Sequence, residues 1–382
     1  MTDSRARLLI ISFSDISNDA RVRKQINLFA ENYRVTTCGR GDAIREDVEH
    51  IRVDLVESKA VSVAQAILLR LRMYKLAFAL EPEVRAARKA LRGRRFDVAI
   101  ANDAESIVLA GEFAGYPHAH ADLHEYWPGL HDQIENWVRL RQPYYRWMMR
   151  SFAAKAGSAT TVSGAIADRY RQEFGIECGV VHNATPKHEL APSQIEWPLR
   201  IVHSGSTQPN RKPEVMMHAV AQTKSDVRFD MYLTGAHTEY WEELSALAGQ
   251  LGDRIRVLPP KPYSELVATL NDYDIGIHIL PATNTNNRLA LPNKLFDYVQ
   301  ARLGVIVGPT PDMRSRVEEF GLGAVTSGFD VQDVVDVLDE LTIEDVRSWK
   351  LHAADAAQVL NVEHELPVWE ASIAALTRVK RD

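Results

Sequence analysis

Short apolar runs alternate with amphipathic helical patterns along almost the whole chain, and the alternation starts twice. A parallel sheet suits this pattern, because each strand must be followed by a crossover that a helix fills. The first series reads as strand Arg7–Phe13, helix Ala20–Glu31, strands Arg34–Cys38 and Ile51–Leu55, and a long helical region Val61–Arg92. It continues with strand Val98–Asn102, a helix around Ile107, strand Ala119–Leu123, a long helix within His131–Ala156, strand Ala159–Val162, a helix to Gln172 and strand Gly179–His182. A polar, proline-containing stretch, Pro186–Trp197, interrupts it. The second series runs through strand Arg200–His203, helix Pro213–Thr223, strand Phe229–Leu233, helix Glu239–Leu251, strand Ile255–Leu258, helix Tyr263–Leu270 and strand Ile275–Ile279, with further αβ units beyond. The expected fold is α/β, with two Rossmann-like, doubly wound domains facing across a cleft. The first would span residues 1–185 and the second 198–360. Ligands of such sheets collect at the carboxyl ends of the strands.

A chain of 382 residues is long enough for two domains with a core each. The net charge of −6 argues against a general nucleic-acid binder. The charge is uneven, about +3 up to His182 and about −9 beyond it. That asymmetry fits an anionic partner for the first half, and fits ordinary surface variation equally well. Cys38 and Cys178 are far apart and in no metal-binding spacing, so they read as free thiols in a reducing cytoplasm. The apolar run Leu8–Ile11 is too short for a signal-peptide core, and no run of membrane-spanning length follows.

Two segments of the second half carry recognisable chemistry. In Leu291-Pro-Asn-Lys-Leu-Phe-Asp-Tyr298, a polar loop with Asn293 and Lys294 enters a short amphipathic helix, with Asp297 one turn beyond the lysine. The helix breaks at Gly304 and an apolar strand, Val305–Val307, follows. Exposed N–H groups at a helix start, together with a lysine, suit a phosphate. In Val202-His-Ser-Gly-Ser-Thr-Gln-Pro-Asn-Arg-Lys-Pro-Glu214, a strand ends in a small-residue loop at Gly205 and Ser206, and Arg211 and Lys212 precede a helix. Such a loop lets backbone N–H groups approach a diphosphate while the cations neutralise it. A basic pair at a helix N-terminus works against the macrodipole, a cost that favours a functional reason for it.

Leu291–Val307 resembles the donor-site segment of family 4 retaining glycosyltransferases, which have the GT-B fold, in the branch that carries PNKLFEY. Gly205–Lys212 is similar to the family's phosphate loop. The resemblance implies a nucleotide-sugar donor of UDP or GDP type, with Arg211, Lys212 and Lys294 at its diphosphate. It implies Asp297 at the ribose hydroxyls, in place of the second glutamate of the family's Glu-x7-Glu motif. It also implies a last helix, within 361–382, that crosses back to the first domain. The chain departs from the pattern at Leu289, where the first carboxylate would fall. It departs again at Pro292, which replaces a glycine whose N–H approaches phosphate and has no N–H to offer. The PNKLFEY branch commonly shares these departures. Asn293 and Lys294 are candidate replacements for the donors, and Asn284, Asn286, Asn287 or Arg288 for the carboxylate.

In the first half, Ala121-Asp-Leu-His-Glu-Tyr-Trp-Pro-Gly129 ends a strand and puts Asp122, His124 and Glu125 where function collects in open α/β sheets. The segment is similar to an Asp-x-His-Glu stretch of related glycosyltransferases, which implies that His124 bonds a donor hydroxyl or orients the acceptor. A polar strand end with Trp127 packing a loop explains the same residues. The loop Ser12–Arg23 enters a helix for which Asp19 is a natural N-cap. Its Asp-x-Arg-Val resembles a cleft-facing family segment, which implies acceptor or phosphate contact by Arg21.

Asp272-Tyr-Asp274 spells the metal-binding Asp-x-Asp of the GT-A fold but joins a helix end to an apolar strand, so it reads as a turn. No metal and no cofactor are expected. Ser163 lacks the paired glycines of a nucleophile elbow and reads as an N-cap. The region Lys59–Arg95 mixes leucines and arginines at helical spacing, and Tyr144–Arg150 adds a second basic aromatic cluster. Both suit the surface of an anionic membrane, and both suit core-facing helices with basic outer faces.

Motifs and resemblance together lead to a metal-independent retaining glycosyltransferase that moves a sugar from a nucleoside-diphosphate donor to a hydroxyl. The acceptor would be a glycan, a lipid-linked molecule or a small molecule. The protein would be cytoplasmic or peripheral at the inner face of the membrane, with no nucleic-acid partner. The alternatives are a nucleotide-sugar epimerase of the same fold, a hinged sugar-binding protein, and a catalytically silent GT-B partner subunit.

Overall fold

The computed structural model describes residues 4–54 and 59–379. The end of the expected strand at Leu55, and residues 380–382 of the expected terminal segment, lie outside them. The chain divides into two compact units, Met1–Val181 with Leu366–Asp382, and His182–Glu365.

The first unit contains strands β1 (Arg7–Asp15), β2 (Arg34–Arg40), β3 (Glu49–Arg52), β4 (Val98–Asn102), β5 (Ala119–Leu123), β6 (Ser158–Thr161) and β7 (Cys178–Val180). They form a seven-stranded sheet in the order β3-β2-β1-β4-β5-β6-β7, parallel at every pairing. The second unit contains β8 (Leu199–Ser206), β9 (Val227–Thr234), β10 (Ile255–Leu258), β11 (Ile275–His278), β12 (Gly304–Val307) and β13 (Gly323–Val325). Its order is β10-β9-β8-β11-β12-β13, again all parallel. In each sheet the strand order reverses beside the first strand. The loops after β1 and β4, and those after β8 and β11, therefore flank a ligand crevice at the strand ends.

The central strands are buried on both faces, as a helix-covered parallel sheet demands. Leu8–Ile11, Val98–Ala101 and Val305–Val307 are all at most 1% exposed. Each such side chain contributes about 1.5–3 kcal/mol when a Val, Leu or Ile is fully buried. Helix starts are capped: Asp19 accepts from the N–H groups of Arg21 and Val22, and Ser163 from that of Ile166. Asp19 and Ser163 thus do the local work their positions indicate.

Gly276 on β11 matters for the site. A Cβ there would lie 2.4 Å from the ring of Tyr298, so the ring packs flat on the strand only because the residue is glycine. The Tyr298 hydroxyl donates to Ile277 O (3.2 Å) and accepts from Ser204 N (3.4 Å), which ties helix Asn293–Gln300 to β8 and β11.

The long helical region expected over Val61–Arg92 consists of three helices, Lys59–Arg70, Tyr74–Ala79 and Pro82–Ala90. Arg72 at φ 56° turns the chain after the first, and Pro82 opens the third at the position where its missing N–H costs nothing. The stretch 186–197 is clamped to the second unit. The buried Arg302 donates to His188 O (2.6 Å) and Leu190 O (3.1 Å), and Asn271 donates to Ala191 O (3.0 Å). In the terminal helix, Val362–Arg378, Trp369, Ile373 and Leu376 share the first unit's core with Ile10, Val22 and Ile26. Among the described residues no helix is long and apolar enough to cross a membrane.

Candidate functional site

In the second unit, a cavity of about 380 Å3 opens beyond the ends of β8 and β9. Gly205, Arg211, Asn293, Lys294 and Asp297 line it, with Tyr232, Lys261, Tyr263 and Pro292 among the other walls. Two segments some ninety residues apart are brought together by close approach. A Cβ on Gly205 would sit 3.0 Å from Lys294 Cε and 2.7 Å from His203 Nε2, so a larger residue would push the lysine off the strand end. Asn293 and Lys294 form the first turn of helix Asn293–Gln300, with Pro292 as N-cap, and not a loop before it.

Burial and the neighbouring charge of Arg211 pull Lys294 down to about 8, while Asp297 acts in the opposite sense. Two cations held close in a partly buried site repel each other, and an anion between them removes that repulsion. Asp297 is buried and accepts from Thr185 Oγ1 (2.5 Å). Ser206 is half-buried at the end of β8 and Lys212 is exposed, in a left-handed conformation (φ 46°). Neither belongs to the cavity wall, so the structure separates Lys212 from Arg211. Of the replacements for the missing carboxylate, Asn284 caps helix Thr285–Leu289 and Asn287 donates to Pro281 O (3.1 Å), so both serve local structure. Asp274 of the Asp-x-Asp tripeptide is fully buried between Arg200 (3.0 Å) and Lys350 (3.5 Å).

The first unit gathers its candidates differently. Asp122 is fully buried and accepts from Arg21 Nε (2.8 Å) and NH2 (2.6 Å), Gln25 Nε2 (2.6 Å) and Thr160 Oγ1 (2.7 Å). Burial alone would raise its pKa, but Arg21 and His124 hold it well below the usual carboxylate range. Arg21 is 5% exposed, also donates to Val181 O (2.7 Å), and lies 4.7 Å over the Trp369 ring. Arg21 and Asp122 are thus each other's buried counterion.

His124 stays partly accessible. Its Nε2 lies 3.0 Å from Asn102 Oδ1 and 3.3 Å from Asp122 Oδ2, and its Nδ1 lies 3.6 Å from Asp103 Oδ1. Burial works to lower its pKa, but Asp103 and Asp122 raise it. Glu125 is half-buried, and its carbonyl accepts from the Tyr170 hydroxyl (2.6 Å). The cluster at Tyr144–Arg150 turns one face into the core and leaves Arg150 exposed. Tyr144, Tyr145, Met148 and Met149 are buried, and the two phenols donate to Glu81 and Glu105.

Three residues were not singled out from sequence. Asp103 follows β4 at φ 71°, at the reversal point of the first sheet, and that position was its available signal. His203 and His278 lie stacked beneath Lys294, ring centroids 5.6 Å apart and 12° from parallel. They read as strand residues, and no motif marks them.

No protein-family model matches the chain, and no curated protein matches it in sequence. Solved structures do match it. A glycosyltransferase from Rickettsia africae aligns with a TM-score of 0.69 over 99% of this chain and 100% of its own, at 12% identity. Anabaena HepE in complex with UDP-glucose aligns at 0.69 over 98% and 100%, at 15% identity. Sucrose-phosphate synthase from Thermosynechococcus elongatus aligns at 0.72 over 98% and 100%, at 12% identity. The chain has their fold, GT-B, built from two Rossmann-like α/β units.

Proposed function

We propose that this protein is a glycosyltransferase that moves a sugar from a nucleoside-diphosphate donor to a hydroxyl. The observation that carries this reading is the convergence of Lys294, Arg211 and Asp297 on one cavity in the second unit of a GT-B fold. Two cations match a diphosphate, and a carboxylate matches a vicinal diol. The Anabaena structure holding UDP-glucose supports a uridine nucleotide. Fixed cations supply the charge stabilisation that a metal supplies elsewhere, which supports a metal-independent reaction. The resemblance of Leu291–Val307 to family 4 retaining glycosyltransferases supports retention, and with no carboxylate pair identified for double displacement the fitting route is front-face attack, with the leaving phosphate helping to deprotonate the acceptor. The first unit takes the acceptor, with His124 as its polar contact. Calorimetric titration with UDP and GDP, with and without EDTA, tests this. One nucleotide should bind, with unchanged affinity in EDTA. If neither binds, the protein is a silent partner or no transferase.

The acceptor side of this reading includes an anionic membrane surface. Val63, Ile67, Leu71, Met73 and Leu76 are 43–63% exposed. Exposed Lys59, Arg70, Arg72 and Lys75 lie among them, the mixture that interfacial segments use. Sedimentation with vesicles should show binding to acidic lipid at low salt and little to neutral lipid. Equal recovery in the supernatant for both would remove the membrane from the account.

A further inference from the structure

Next to the cavity, with Pro292 bordering both, lies a notch of about 10 Å3, room for one water or one hydroxyl. Its walls are apolar at Leu280, Ala290, Pro292 and Met313, and polar at His278 and Thr310. His278 ends β11, beside the reversal point of the second sheet, and is 5% exposed. Both of its ring nitrogens are buried, with no hydrogen-bond partner among the described residues. Buried polar groups are paired in the great majority of cases, so an imidazole left without partners beside a small pocket marks a place where a ligand completes it.

The ring is oriented and uncharged. It stacks on His203, whose Nδ1 donates to Ile277 O (2.8 Å). Burial first, then Lys294, His203 and Arg211, keep His278 well below the ordinary histidine range. A neutral imidazole offers one N–H donor and one nitrogen acceptor, which suits a hydroxyl and gives no counter-charge to a carboxylate.

We propose that the notch is a sugar-reading subsite, in which one uncharged hydroxyl of the donor's sugar enters and hydrogen-bonds His278. This rests on the reading of the neighbouring cavity as a nucleoside-diphosphate site, since the sugar is attached directly to the diphosphate. A sugar whose hydroxyl points elsewhere leaves the imidazole unpaired, and that is how a polar pocket discriminates between near-isosteres.

Titration of the wild type with UDP-glucose, UDP-galactose, UDP-xylose, GDP-mannose and GDP-glucose, alongside free UDP and GDP, tests it. Within the preferred nucleotide, the Kd values of two sugars should differ at least tenfold. Ala290→Leu fills the notch while the imidazole stays in the chain, and His278→Phe removes the nitrogens. Both should bring that ratio to within twofold, while Ala290→Leu binds the free nucleotide as the wild type does. If His278→Phe fails to fold, Ala290→Leu decides alone. An unchanged ratio in a folded variant overturns the subsite, as does a wild type that binds nucleotide sugars without discrimination. A wild type that binds no nucleotide at all overturns the donor-site reading beneath it.

Discussion

Lys294→Met should weaken nucleoside-diphosphate binding by roughly 30- to 4,000-fold at pH 7, corresponding to about 2–5 kcal/mol for a truncated partner of a desolvated charge contact. Turnover should fall with it. The fold should survive, because the lysine lies beside Gly205 in the cavity wall, among polar lining residues, and not in the core. Titration calorimetry and a thermal melt on the same sample check both halves. Wild-type affinity in the variant would remove Lys294 from the site.

The pH dependence has two signs. A bound diphosphate favours the charged lysine, so affinity is full below about 8, the value for the free protein, and falls as pH rises through it. Folding goes the other way. The folded pKa lies below the ordinary lysine value of 10.5, so the unfolded chain binds more protons between about 8 and 10.5. Lys294 therefore costs stability below pH 8, and the cost is relieved as pH rises through that window. Raising the pH from 7 to 9.5 should weaken nucleotide binding in the wild type while this strain relaxes. In Lys294→Met this limb of the affinity profile should be flat.

Much of the fold was legible because parallel strands, buried on both faces, read as unbroken apolar runs. Val98–Asn102, Ala119–Leu123, Glu239–Leu251, Ile255–Leu258 and Tyr263–Leu270 have the bounds expected of them. What failed depended on distant partners or on backbone conformation. Nothing local marks Arg72 as the residue that adopts a positive φ and breaks a helical pattern. The helix bearing Tyr144 and Tyr145 has basic residues around it, and which face turns inward was settled by Glu81 and Glu105, some forty to sixty residues away. The cavity was legible where the residue type was itself chemical, at Arg211, Lys294 and Asp297. The neighbouring pair His203 and His278 was not legible, because both stand in apolar strands and meet only through the strand order. Arg21 is the same lesson in reverse, a cation beside a polar loop whose partner lies 101 residues further along.

That partner makes a second large effect. Asp122→Ala should destabilise the protein by about 3–5 kcal/mol, the usual cost of leaving one member of a buried ion pair uncompensated. Arg21→Met should cost a similar amount, because Asp122 would remain buried with only Gln25, Thr160 and His124 around it. The double variant Arg21→Met/Asp122→Leu should recover part of the loss, since replacing both charges by apolar groups removes the desolvation penalty together with the pair. Urea denaturation of the wild type, Arg21→Met, Asp122→Leu and the double variant yields the coupling directly. The sign with pH follows from the depressed pKa of Asp122. Its stabilisation is fully present above the ordinary carboxylate value near 3.8 and is lost only as pH falls towards the folded value, so the difference between wild type and Asp122→Ala should persist down to about pH 4. An arginine that served the ligand would behave otherwise: Arg21→Met would then keep wild-type stability and lose only affinity. A variant that melts early but, while folded, binds nucleotide like the wild type would show that Arg21 serves Asp122 as its counterion and makes no contact that nucleotide binding needs.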